Sequence, residues 1–592
     1  MGLSGDESTK INVCGTSGCR VRILVVENEE RFRRDFDVNL RRWDYEPIIA
    51  EGVGEALVQD ALKKAGHYRC HLALVDMRLK DDHDVSDTSG LDLVPELKPT
   101  ESIIVSAFGD RKTAVAALKD KGALDFVGKE DGPRALREAI EKNLRIHVCP
   151  CTERAIRWPS GLSSENVIRL IYPYDPEIPL DEIDCILRRL FREDRGKVEL
   201  DYLSSDARTP SFSPRPRSIV LKAELPNRLP FVVKLARKKR IDQEFERYNK
   251  YVHEKLSQGF YAQVRNKVSL WDLGGIVYHF MGTRVRGFQT FSKFYVEASP
   301  QEVNEVLTHL FNVWGRLYDQ YRSLLDVPLF EGYNQLWGGD AVDEDPTDAY
   351  NWLHHLKSYP WQSQYLNIQL SPNLSPSPLI NPVHWIQSKK KWSRLAKTHQ
   401  TVVHGDMLGD NIFVDPDNRT WAIDYERTGP GPIFADFVEL EVDILTHLAQ
   451  FETPTDFEQY VQMIVAAYQP LAHPLDLSNP RLLANYELLS GKHAEVHEET
   501  RKALSVVEGL RQLASSIAPQ DEDPRSYFWG ILLNAVFRAL IRRRQINQIE
   551  ATGEKSREST AALKREETRA LVLGGIVCQL LENWESATNP RK

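Results

Sequence analysis

Between Val21 and about His147 the chain alternates short β-rich apolar runs with longer segments of helical period, and this alternation constrains the fold more than any other feature. The runs are residues 21–26, 71–75, 102–105 and 123–127, with a weaker one at 47–50. Strands separated by helical crossovers pair in parallel, so the pattern predicts a doubly wound, five-stranded parallel sheet. In such a sheet ligands sit at the carboxyl ends of the strands. The residues at or just past those ends are Glu27, Asp76, Ser106 and Lys129. Asp76 suits a carboxylate nucleophile that takes up a phosphoryl group as an acyl phosphate, and Glu27 with Asp76 supplies hard oxygen ligands for Mg²⁺. Ser106 suits a hydrogen bond to a phosphoryl oxygen, and Lys129 acts as a point charge beside it.

These residues resemble the response-regulator receiver family, a flavodoxin-like fold, and the likeness spans residues 21–147. The resemblance implies that a donor histidine kinase phosphorylates Asp76 and that the packing of Phe126 responds. The sequence departs from the family in three places. Asn28 stands where a second metal-binding acid is usual, Glu130 replaces a proline after Lys129, and the loop from Asp76 to Gly90 is long and carries Asp81, Asp82, Asp84 and Asp87.

A second constellation lies at residues 401–424. Asp406 precedes Asn411 by five residues, an apolar strand follows, and a turn at Asp415–Asn418 leads to a second strand that ends at Asp424. A hairpin of this kind returns Asp424 to the neighbourhood of Asn411, so that two oxygen ligands meet one Mg²⁺. Phosphoryl transfer needs an orienting carboxylate, a metal clamp and a cation on the nucleotide phosphates. Asp406 fits the first role and Asn411 with Asp424 the second. Lys234, in a strand-like run at 231–235, fits the third, with Glu244 on the next helix as its ion-pair partner. Other strand-like runs are 197–203, 218–224 and 274–281. Beyond Pro300 the pattern turns to long helices, clearest at Glu302–Leu325 and again over 480–592.

The motif HisGlyAsp at 404–406, Asn411 and IleAspTyrGlu at 423–426 resembles the aminoglycoside phosphotransferase and choline kinase branch of the kinase fold, from Lys197 to at least Leu445. The resemblance implies a small sheet lobe over a larger helical lobe with ATP and Mg²⁺ between them. His404 and Asp406 then belong to the catalytic loop, and Asp436 braces it. The loop 204–217 contains no glycine, although the family covers the phosphates there with backbone amides; Arg208, Arg215 and Arg217 offer another kind of phosphate contact.

At 592 residues the chain exceeds one hydrophobic core. The expected order is a flexible tail (1–20), a receiver (21–147), a connector with a helix near Asp181–Glu193 (148–196), a small lobe (197–290) and a helical lobe with a C-terminal helical extension (291–592). A net charge of -9 gives no reason to expect nucleic-acid or anionic-membrane binding. The longest apolar run, Leu571–Leu581, is short of a membrane span and reads as a buried helix. Seven irregularly spaced cysteines and a polar N-terminus favour a reducing, cytoplasmic setting. The basic runs Lys389–Lys391 and Arg542–Arg544 read as solvated helix faces, and His354 and His355 as packed or solvated residues. The leading functional expectation is a phosphorelay protein whose receiver regulates an ATP-dependent kinase-like phosphotransferase. The alternatives are a non-catalytic nucleotide- or partner-binding scaffold and a small-molecule kinase. The phosphoryl acceptor and the choice between monomer and homodimer stay open.

Overall fold

The computed structural model describes residues 21–80, 84, 86–107, 118–148, 156–172, 181–194, 196–202, 218–226, 228–256, 261–280, 288–338, 363–368, 378–389, 397–451, 454–468, 476–490, 497–552 and 557–588. The tail 1–20, Asp81, Asp82, the glycine-free loop 204–217, His354 and His355 lie outside the described residues.

The chain forms two compact units: Met1–Asp201 with Leu221–Ile241 and Asn266–Val277, and Tyr202–Val220 with Asp242–Arg265 and Tyr278–Lys592. The first unit begins with β1 (Arg22–Val26), α1 (Glu30–Arg42), β2 (Glu46–Ile49), α2 (Glu55–His67), β3 (Leu72–Val75), α3 (Ser89–Glu96), β4 (Glu101–Ser106), β5 (Asp125–Gly128) and α4 (Gly132–Asn143). The five strands form one sheet in the order β2-β1-β3-β4-β5, every pair parallel. Parallel strands covered on both faces are apolar throughout, and all of β3 and all of β1 after Arg22 are buried. The chain order reverses between β1 and β3, the switch point at which such sheets open a crevice. Val26 pairs with Val75, so Glu27 and Asp76 leave neighbouring strands side by side. Ser106 pairs with Gly128, which brings Lys129 to the same edge. The last strand starts at Asp125, two residues later than the run at 123–127 suggests, because Asp125 is the first residue in register with Ile103.

The stretch expected as a connector is built into this unit. It supplies β6 (Ile156–Arg157), which pairs in parallel with β7 (Val198–Tyr202), and the helices α5 (Ser164–Ile171) and α6 (Asp181–Leu190). The sheet β10-β11-β9-β8-β7-β6 continues with β8 (Ser218–Glu224), β9 (Phe231–Arg237), α7 (Lys238–Arg247), β10 (Ala262–Ser269) and β11 (Leu273–Phe280). The expected boundaries at 147, 196 and 290 therefore do not separate compact bodies. Arg69, in the turn before β3, ion-pairs with Glu182 of α6 and with Asp272 of the β10–β11 turn, and Tyr172 donates to the Asp272 carbonyl at 3.0 Å. These contacts tie the five-stranded sheet to the second sheet.

The second unit is mainly helical. It contains β12 (Gln289–Thr290), α8 (Phe291–Glu297), α9 (Pro300–Gln320), β13 (Ser323–Leu324), α10 (Leu329–Gly338), α11 (Pro382–Lys389), β14 (His399–Val403), β15 (Ile412–Val414), β16 (Thr420–Ala422), β17 (Gly429–Pro432), α12 (Ala435–Asp443), α13 (Pro454–Tyr468), α14 (Leu482–Ser490), α15 (Glu498–Ile517), α16 (Arg525–Thr552) and α17 (Arg557–Thr588). Helix α9 starts with a reciprocal cap in which Ser299 and Glu302 bond each other's backbone N–H groups, and Pro300 occupies its first turn. Every residue of α12 is buried. The run Leu571–Leu581 lies inside α17, almost wholly buried. The basic run at 542–544 is not a solvated face: Arg542 bonds Glu566 and Arg543 bonds Glu567, at 2.7 and 2.6 Å. The reason is that α17 lays acids along the side of α16 that carries these arginines. Among the described residues no helix is long and apolar enough to cross a membrane.

Candidate functional sites

In the first unit the strand ends close a small acidic pocket. Lys129 Nζ lies 2.8 Å from Glu27 Oε2 and 3.1 Å from Asp76 Oδ2. The Asp76 carboxylate also accepts the Met77 N–H at 2.8 Å, and Glu27 accepts the Glu29 N–H at 3.1 Å. Glu27, Asp76 and Ser106 are buried, and Asn28 is half-buried beside them. Phe126 packs against the sheet core from β5. Burial, and after it the neighbouring Asp76, pushes the Glu27 carboxyl up to about 7 against the opposing pull of Lys129. Burial alone would lower Lys129, but Glu27 and then Asp76 hold it above its ordinary value. Two crowded carboxylates that share one ammonium make a pocket short of positive charge. That donor set fits a divalent cation held by Glu27 and Asp76, with the Asn28 amide as a neutral neighbour.

The long loop after Asp76 is held down by its own side chains. Asp87 accepts the N–H groups of Lys80 and Ser89, each at 2.9 Å, and Asp84 accepts that of Ser86 at 2.8 Å. Gly90 ends the loop against the Asp76 carbonyl, where an added Cβ would lie 1.8 Å from that oxygen. Only glycine tolerates this approach, so Gly90 fixes where the loop returns to the pocket.

In the second unit, α12 carries the 401–409 segment on three acids. Asp436 accepts the N–H groups of His404 and Gly405 at 2.8 and 2.9 Å, Glu439 that of Met407 at 3.0 Å, and Asp443 that of Gly409 at 2.8 Å. Residues i, i+3 and i+7 of a helix share one face, and here that face runs along the extended segment like a rack. Tyr318 adds a bond to Asp436 at 2.7 Å. The sequence pointed to Asp436 alone. Glu439 and Asp443 were missed, since nothing in the sequence sets them apart from Glu441 on the same helix.

His404 is fully buried. Its Nε2 lies 2.9 Å from the Ile423 carbonyl, which can only accept, and its Nδ1 faces the Asp406 N–H at 3.3 Å. Both bonds require the tautomer protonated on Nε2. The ring therefore joins the 404–406 segment to the strand end that precedes Asp424. Ile423 N–H donates to the Asn411 carbonyl at 2.9 Å, and Ile412 pairs with Ala422, so the hairpin brings the backbones of Asn411 and Asp424 together. The Asn411 amide nitrogen donates to Asp406 Oδ2 at 2.9 Å and to the Asp406 carbonyl at 2.8 Å, which ties the two side chains together. Asp424 is buried and adopts a left-handed φ of 68°, a strained conformation for a non-glycine residue that aspartate tolerates best. Arg427, which the sequence reading had not singled out, places Nη1 3.3 Å from Asp406 Oδ1.

Lys234 on β9 and Glu244 on α7 are both buried; Lys234 belongs to the first unit and Glu244 to the second. Within the second unit Tyr278 donates to Glu244. Among the described residues no group of three or more His, Cys, Asp or Glu has metal-holding geometry. A cation at 411–424 would be held by Asn411 and Asp424.

One pH effect follows from Asp443. Burial lowers His447, but Glu566 and then the hydrogen bond it donates to Asp443, at 3.2 Å, raise it from 6.5 to about 9. Its folded value lies above its unfolded one, so the stabilisation is complete below pH 6.5 and is lost as pH rises through about 9. Denaturation of the His447→Gln variant is expected to show a flatter stability profile between these limits. An unchanged profile would show that His447 does not support Asp443.

Residues 373–540 match the family model described as Ternary complex associated domain 9. No curated protein matches the chain. Among solved structures, the signal receiver domain of a protein described as a LuxO repressor from Vibrio parahaemolyticus is 26% identical, covers 22% of this chain and 92% of its own, and aligns with a TM-score of 0.19. A response regulator from Thermotoga maritima is 18% identical over 21% of this chain and 98% of its own, TM-score 0.18. A response regulator from Burkholderia pseudomallei, solved with a phosphorylated aspartic acid and a calcium ion, is 22% identical over 29% of this chain and 96% of its own, TM-score 0.18.

Proposed function

We propose that this chain is a two-component signalling protein in which a histidine kinase transfers a phosphoryl group to Asp76, and the state of that pocket governs a Mg²⁺- and ATP-dependent phosphotransferase built on residues 401–424. The observation that carries the reading is Lys129 within 2.8 and 3.1 Å of two buried carboxylates at the switch point of a parallel sheet. In the second unit Asp406 orients the acceptor hydroxyl, and Asn411 and Asp424 would hold Mg²⁺. When bound, Mg²⁺ neutralises the charge of the transferring group. The segment bearing Asp406 is held by four backbone bonds to buried acids, which supports a site built for fixed geometry rather than a mobile loop.

The test uses the full chain. Mg·ATP is expected to raise the melting temperature of wild type and of Asp406→Asn but not of Asp424→Ala. ATP consumption is expected to fall by roughly 10²–10⁴-fold in Asp406→Asn. A wild-type protein that Mg·ATP does not stabilise would sink the phosphotransferase.

One observation favours a second reading, a nucleotide- or partner-binding scaffold without transfer. Asp406 takes hydrogen bonds from both Asn411 and Arg427, so each of its carboxylate oxygens already has a partner. The match to a model described as associated with a ternary complex is consistent with a partner-binding role. This reading predicts Mg·ATP stabilisation with no product.

A further inference from the structure

Arg427 is 5% exposed, and its guanidinium is only half used. Nη1 faces Asp406 Oδ1 at 3.3 Å and the Gly405 carbonyl at 3.5 Å. Among the described residues Nε and Nη2 have no hydrogen-bond partner. These two N–H groups lie on one edge of a planar cation and point the same way, at the spacing of two oxygens of a carboxylate or phosphate. A buried arginine with that edge unsatisfied costs stability unless an anion completes it. The backbone there is fixed, since Arg427 ends the short turn Tyr425–Arg427 that follows the left-handed Asp424. The guanidinium carbon lies 5.8 Å from the Phe537 ring, and that ring stacks on Trp337 at 4.6 Å, so α10 and α16 give the cation an aromatic wall.

We propose that the Nε–Nη2 edge of Arg427 is the acceptor-binding fork of the phosphotransferase, and that the acceptor is an anionic hydroxyl compound. Its carboxylate or phosphate lies on that edge while its hydroxyl reaches Asp406. The hydroxyl proton passes to Asp406, the acceptor oxygen forms its bond to the γ-phosphorus, and the bond from that phosphorus to ADP breaks. Arg427 is then a specificity residue: it selects an anion, and a polycationic aminoglycoside has the wrong sign. This inference rests on the phosphotransferase reading above.

Inorganic phosphate and acetate, titrated in parallel into the full chain by calorimetry, provide the test. Wild type is expected to bind at least one of them, and the tighter of the two assigns the phosphate or carboxylate class. Arg427→Lys keeps the charge but loses the fork, and its affinity is expected to fall by roughly tenfold or more. Asp406→Asn leaves Arg427 in place and removes the competing carboxylate, so its anion affinity is expected to rise. Equal binding by wild type and Arg427→Lys, no binding of either anion, or weaker binding by Asp406→Asn would each overturn the fork. The Mg·ATP melting experiment locates a failure. Anion binding through Arg427 without Mg·ATP stabilisation sinks the phosphotransferase and with it the acceptor role. Mg·ATP stabilisation with anion binding indifferent to Arg427 sinks the fork alone.

Discussion

Replacing Glu441 by alanine is expected to destabilise the second unit by about 3–5 kcal/mol. Glu441 is fully buried on the face of α12 away from the three acids that hold the 401–409 segment. Its carboxylate takes Arg511 of α15 through Nη2 at 2.6 Å and Nε at 3.2 Å, Tyr527 of α16 at 2.5 Å, and Tyr468 of α13. One carboxylate thus joins α12, α13, α15 and α16. Burial and then Glu441 hold both phenols well above their ordinary range, so they stay protonated and keep donating. Alanine would strand the Arg511 cation, which is also fully buried and whose one other bond is to the Ala467 carbonyl at 3.0 Å. The double variant Glu441→Leu, Arg511→Met removes both charges and is expected to recover most of the loss, because an unpaired buried charge costs more than the pair contributes. Chemical denaturation followed by a probe in the second unit measures both effects. A loss below about 1 kcal/mol in Glu441→Ala would show that the carboxylate is not the junction of these helices.

The five-stranded sheet was legible because strands covered on both faces must be apolar along their whole length, and a strand end is where a polar residue first becomes tolerable. Glu27, Asp76, Ser106 and Lys129 stand out for that reason. The strand β6 was not legible. Two residues, Ile156 and Arg157, carry no periodicity, and the prolines around them suggested a linker. Strand β10 was missed because Ala262–Ser269 is half-buried along nearly all its length, so neither alternation nor an apolar run marks it. The unit boundary depends on pairings such as Arg69 with Glu182 and Asp272, which join residues far apart in sequence and leave no local trace. The candidate site in the second unit was legible where the backbone dictates it, at the strand–turn–strand from Asn411 to Asp424. Arg427, Glu439 and Asp443 were not, since a charged residue signals a solvated surface until the structure shows what it faces. The same bias misplaced Arg542.

Asp76→Asn is expected to abolish phosphoryl uptake from acetyl phosphate and Mg²⁺ while leaving the fold intact. Asparagine matches aspartate in shape, and its amide oxygen can still accept the Met77 N–H that Asp76 Oδ1 takes at 2.8 Å. What it loses is the negative charge, carried in part on an oxygen now 3.1 Å from Lys129, that a carboxylate nucleophile and a charged metal ligand both need. Glu27→Gln is a separate case: it keeps the nucleophile and removes one charged metal ligand, so uptake is expected to persist but to need more Mg²⁺ for half-saturation. Lys129→Met should take up phosphoryl groups slowly if at all, because both carboxylates then lack their nearest cation. Intact-mass measurement with and without hydroxylamine, which cleaves acyl phosphates, separates these outcomes. A hydroxylamine-sensitive adduct on Asp76→Asn would place the acceptor elsewhere. If none of the proteins acquired an adduct, the pocket would be a closed ion-pair cluster, and control of the second unit by phosphorylation would fail with it.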